Sequence, residues 1–261
     1  MSEPKRPWRF CALVLILSAP FWLLGAVLSG PAPLLPIQLP IGALMTFAPA
    51  AAALLLVWRD RGRAGVRALL GRLVEPPVWR RPLWLLATVT LMPLALLIEW
   101  LWLTASGAPL PEPRIAAGAV LVFVPMFLVG AVGEELGWQG YLYPALASRM
   151  SALAASLAIG AVWSVWHIVP LVQAGREAEW IVWQCLMMLP LRVITVWLYG
   201  VGGRSLGLAI VFHAAGNVTQ FLFPNYGSHY DPKLTFIILA VIAAGLVLAT
   251  GPRTLGDRTP S

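Results

Sequence analysis

The sequence predicts an all-α, polytopic integral membrane protein with about eight transmembrane helices, and three observations carry that prediction. Hydrophobic residues make up 59% of the 261 residues and charged residues 11%, whereas an ordinary soluble domain carries roughly 25% charged residues. Apolar runs near the ~20 residues that cross a hydrocarbon core of roughly 30 Å recur along the chain. Lys and Arg gather in alternate connections between those runs, as in proteins oriented by the positive-inside rule.

The runs lie near residues 9–29, 40–58, 83–104, 115–142, 153–171, 180–200, 206–223 and 233–250. The first follows the basic start "MSEPKRPWRF", which a signal peptide would share. It is longer than a typical signal core, and the charge alternation works only if it stays as a first helix. Between the second and third runs, residues 58–82 are rich in arginine. Their "RAGVRALLGRLV" sets Val66, Leu69, Leu70 and Leu73 at helical spacing, which predicts a short helix on the cytoplasmic membrane surface. With Arg149, Arg204 and the tail "GPRTLGDRTPS", that loop and the start fall on one side of an eight-helix path. The prediction is a multi-pass protein of the cell membrane with both termini cytoplasmic. The net charge of +7 then suits anionic lipid headgroups and needs no nucleic-acid partner. Cys11 and Cys185 fall inside spans, so no extracellular disulfide framework is indicated. No internal repeat is visible, and residues 1–261 read as a single membrane domain.

Polar groups inside spans need an explanation, because burying them without partners costs several kcal/mol. They are Glu99, Glu134, Glu135, Gln139, His167, Gln184, Arg192, His213 and Asn217. Glu99 stands among tryptophans near the end of its run, which predicts a residue at headgroup level. Glu134 and Glu135 are separated by about 100° around a helix and cannot share one partner. Glu135 lies four residues before Gln139, which predicts a structural hydrogen bond between them and leaves Glu134 facing a cavity. His213 and Asn217 share one face of another helix, among small residues that permit close packing. A carboxylate and two imidazoles can activate water, and an Asn amide can donate to an oxyanion. The same His and Glu side chains are also acceptable zinc ligands, and spacing does not decide between the two.

The runs "EELGWQGYLYPAL", "WSVWH" and "HAAGN" resemble the three motifs of the CPBP intramembrane proteases, the family of type II CAAX prenyl endopeptidases and bacteriocin-processing proteins. The resemblance covers roughly residues 115–220, which it marks as the catalytic core. It implies that Glu134 is the general base, that His167 helps it to activate water, and that His213 with Asn217 stabilises the oxyanion. Two positions depart from the family pattern. Trp163 stands where phenylalanine is usual, a change of volume at first sight. Gln139 stands where arginine is usual, so a cation that would neutralise Glu135 is missing. Arg192, halfway along the sixth run, is the candidate replacement.

The expected function is peptide-bond hydrolysis at or within the membrane by a glutamate-activated water, without a metal cofactor, on a peptide or protein substrate arriving from the membrane. A zinc metalloprotease and a non-catalytic immunity or scaffold protein are the alternatives. A transporter is disfavoured because no pair of matched broken helices is seen.

Overall fold

The computed structural model describes residues 7–28, 41–74 and 78–257. The chain is an all-helical, multi-pass membrane protein. Its helices are α1 (Pro7–Val27), α2 (Ala48–Gly71), α3 (Pro82–Ala105), α4 (Ala117–Gly137), α5 (Tyr143–Ala147), α6 (Ala152–Gln173), α7 (Ala178–Val201), α8 (Leu206–Leu222) and α9 (Pro232–Thr250). A 3-10 segment, Ile41–Phe47, leads into α2, and a π-turn, Trp138–Leu142, joins α4 to α5. Among the described residues, seven helical stretches are long and apolar enough to cross a membrane. The α4–α5 stretch, Ala117–Ala147, is one of them, and α8 is a shorter apolar helix. Together they supply the eight runs expected from hydropathy.

The distribution of apolar side chains is that of a bundle in lipid. Leu23, Leu83, Leu121 and Leu248 are strongly exposed, while Ser18, Glu135, Gln139 and Thr235 are fully buried. A water-soluble protein would invert that pattern. Helix α6 packs on α7, α7 on α9, and α4 on both α8 and α2. Helix α1 enters the core through Phe10, whose ring meets Trp138 edge-on at 5.3 Å.

The expected surface helix after residue 58 forms but does not lie free. Gly62, at φ 59° and ψ −157°, kinks α2, a conformation that glycine adopts without a Cβ penalty. Beyond the kink, Leu69 is buried and Val66 and Leu73 pack against the core, while Leu70 stays exposed. Arg72 donates to the Gly140 carbonyl and, at 2.7 Å, to the Tyr199 hydroxyl. The segment is thereby pinned against the π-turn.

Glu99 turns into the bundle. It is buried and accepts hydrogen bonds from the Asp231 backbone N–H at 2.9 Å and from the Thr235 hydroxyl. The start of α9 lies against the end of α3 and supplies those donors, Asp231 as its N-cap and Thr235 from its first turn.

Candidate active site

Helix α4 delivers two carboxylates to two different environments. Glycines at positions 130, 133 and 137 share one face, and they let the segment from Thr46 to Pro49 lie against that face. A Cβ on Gly133 would stand 2.7 Å from the Thr46 carbonyl, and one on Gly137 2.5 Å from the Pro49 backbone. No real side chain fits at such distances, so these glycines are what bring Thr46 to Glu134. The Thr46 hydroxyl lies 3.1 Å from both Glu134 Oε1 and the Gly130 carbonyl.

Glu134 has a second partner. The Trp163 indole N–H donates to Oε2 at 2.6 Å. His167 Nε2 faces Oε1 at 4.0 Å, beyond hydrogen-bonding reach. The His167 side chain is 19% exposed and that of Glu134 is 8% exposed, so this pair is less completely buried than Glu135 and Arg192. Nδ1 of His167 is 2.8 Å from the Trp163 carbonyl. A carbonyl can only accept, so Nδ1 carries the hydrogen, and in the neutral ring Nε2 is left as an acceptor.

Glu135 points into a sealed region. Its Oε2 meets Arg192 Nη1 at 2.7 Å and its Oε1 meets His213 Nδ1 at 2.8 Å, with the Glu135 and Arg192 side chains each only 1% exposed. Gly160 helps to place the cation: a Cβ there would come within 3.3 Å of the Leu189 Cα, so α7 can approach α6 beside Arg192. The guanidinium also sits over the Trp163 ring, 4.5 Å from its centroid, a distance at which cation–π attraction operates. Since Glu135 faces Arg192 as a carboxylate, His213 must present an N–H from Nδ1. Nε2 of that ring can then donate only in the imidazolium form.

Five of the nine polar residues singled out from sequence thus gather about Trp163: Glu134, Glu135, His167, Arg192 and His213. Trp163 touches both imidazoles edge-on, with centroids 5.1 Å from His167 and 5.4 Å from His213. Asn217 follows His213 by one turn on α8 and is half-buried. Gln139 stands apart. The expected Glu135–Gln139 hydrogen bond is absent: both oxygens of Glu135 are engaged elsewhere, and the Gln139 amide has no partner among the described residues. A π-turn begins at Trp138, where the Tyr143 N–H bonds the Trp138 carbonyl five residues back, but what decides is that Arg192 and His213 already occupy both oxygens of Glu135.

Two contributions escaped the sequence. Thr46 was not counted among polar groups because a threonine in a span usually satisfies itself on its own helix. Trp163 was read as a matter of volume, yet its N–H reaches Glu134. The signal was present in the indole, which always carries a donor in search of an acceptor.

Comparison with known proteins agrees with the motifs. Residues 116–219 match the family described as Type II CAAX prenyl endopeptidase Rce1-like. The motif-bearing segment is thus similar to that family. The chain is also similar to a protein named CAAX prenyl protease 2 from Methanococcus maripaludis, with 30% identity over 173 residues. That alignment covers 60% of this chain and 62% of the archaeal protein, so the chain spans somewhat less than two thirds of its relative. The resemblance to the CPBP proteases therefore holds, and the family match runs from α4 into α8, the helices that carry the site.

Proposed function

We propose that this chain is an intramembrane endopeptidase in which Glu134 activates water, and the observation that carries the reading is the geometry of Glu134 against His167. Two acceptors, Glu134 Oε1 and His167 Nε2, stand 4.0 Å apart. A water donating one hydrogen bond of about 2.8 Å to each needs its acceptors roughly 4 to 4.5 Å apart. Such a water turns its lone pair outward toward a substrate carbonyl. As its oxygen bonds the carbonyl carbon, Glu134 takes the proton, and negative charge builds on the carbonyl oxygen. His213, donating from Nε2 as an imidazolium, and the Asn217 amide stabilise that oxyanion. Collapse breaks the C–N bond, and Glu134 returns the proton to the leaving amine.

Glu135 and Arg192 take no part in proton transfer in this scheme. They neutralise each other and hold the His213 ring, leaving Glu134 as the one carboxylate of the pair that water can reach. That division supports a glutamate mechanism over zinc, since His213 and Glu135 are committed to each other. The relative's name makes a prenylated peptide ending in a CAAX sequence the first probe. Purified protein in detergent is expected to cleave it at one peptide bond, read by mass spectrometry, at a rate unchanged by chelator. Loss of rate with chelator, restored by about one zinc per chain, would replace this reading with the metalloprotease. A folded protein that cleaves neither this probe nor other membrane-inserted peptides would be the scaffold instead.

The proposed setting is the cell membrane with both termini in the cytoplasm. Arg59, Arg63 and Arg67 are exposed beside Leu70 and Val74, a combination suited to anionic headgroups. Reporter fusions at residue 70 and at the C-terminus should both score cytoplasmic. A periplasmic score at either point is incompatible with the eight-helix path.

A further inference from the structure

Glu134 has two oxygens, and only one can face the water. Which one is fixed is a question that the α4 backbone alone leaves open, because the terminal torsion of a glutamate is broad and two-fold. Three side chains decide it. The Trp163 N–H takes Oε2 at 2.6 Å from a ring that is only 4% exposed. The Thr46 hydroxyl and His167 Nε2 both lie on the Oε1 side. The indole ring cannot turn away, since His167 and His213 meet it edge-on and the Arg192 guanidinium covers one face.

Resting on the reading of Glu134 as the base, we propose that Trp163 is a positioning residue whose indole N–H occupies Oε2 and so makes Oε1 the oxygen that receives the water's proton. A phenylalanine would keep the ring contacts with both imidazoles and the guanidinium but carry no donor. The carboxylate could then rotate, and its two oxygens would exchange roles. Indole is a donor only, so it holds an acceptor oxygen at that place through the whole cycle and cannot itself take the proton. This chain therefore fixes its base with a group that a phenylalanine at this position would lack.

Trp163→Phe tests the proposal. With the CAAX peptide as probe, kcat per folded molecule is expected to fall about tenfold, the worth of one hydrogen bond to a charged group, with KM unchanged, in a protein still folded at the assay temperature. A merely structural tryptophan would lower the melting temperature and leave kcat per folded molecule alone. A second measurement needs no substrate. In protein labelled with nitrogen-15 at its indoles, the resonance absent from Trp163→Phe identifies Trp163. That resonance should lie downfield among the tryptophans and move upfield in Glu134→Ala, where the acceptor is gone. An indole resonance that ignores Glu134→Ala, or a Trp163→Phe protein with wild-type kcat, would overturn the proposal. Full activity in Glu134→Gln would overturn the reading of the base instead, and the indole resonance would still report on the contact.

Discussion

Glu134→Gln is expected to lower the rate of peptide cleavage by about 100-fold or more, with no loss of fold. Glutamine keeps the length and one acceptor oxygen of glutamate. That oxygen should turn to Trp163, whose donor would otherwise face the amide nitrogen, and the amide would then lie beside the Thr46 hydroxyl, which can accept from it. The packing is preserved and the base is gone. Water can still lie against His167, and the oxyanion donors on α8 are untouched, so a residual rate above the uncatalysed one should survive. Initial rates on the CAAX peptide, alongside melting temperature in detergent, separate loss of chemistry from loss of protein. Cleavage at the wild-type rate by a folded Glu134→Gln protein would remove Glu134 from the mechanism and point to a metal-held or histidine-activated water.

What the sequence made legible follows from what hydrophobic burial and helix periodicity can encode. The eight apolar runs are set by bilayer thickness, so length and hydropathy sufficed to place them. The division of labour between adjacent glutamates followed from the 100° step of a helix: Glu134 in a less completely buried pair, Glu135 in a sealed one. Arg192 could be singled out because a lone cation in a span demands a carboxylate. The Glu135–Gln139 bond that the i, i+4 rule suggests does not form, because Arg192 on α7 and His213 on α8 take both Glu135 oxygens, and the rule sees only one helix. Thr46 reaches Glu134 across 88 residues of chain, through glycines whose meaning depends on what packs on them. Such contacts between distant segments have no periodic signature.

Arg192→Leu is expected to be the most destabilising single substitution in the site. It leaves Glu135 with a carboxylate in a region where its side chain is 1% exposed, and an uncompensated buried charge costs roughly 3–5 kcal/mol. His213 can offset part of this by holding a proton, but its one N–H on that side is already bonded to Oε1, so Oε2 is left bare. Removing the charge should therefore repair the damage that removing the cation does. Glu135→Gln alone should also destabilise, because Arg192 is then the unpaired ion. The double variant Glu135→Gln/Arg192→Leu should be more stable than the sum of the two losses predicts, by about 1–3 kcal/mol of coupling. A second pair asks whether the position usual for the family's arginine can serve again. Gln139→Arg in the wild type adds a buried cation while Glu135 is fully engaged, and it should destabilise. In the Arg192→Leu background the same arginine has a free carboxylate one widened turn away, and its effect should change sign. Thermal unfolding in detergent supplies the stabilities for both cycles. Strict additivity in the first would show that Arg192 and Glu135 are neighbours without energetic coupling, whereas additivity in the second alone would show that the π-turn has carried residue 139 out of reach.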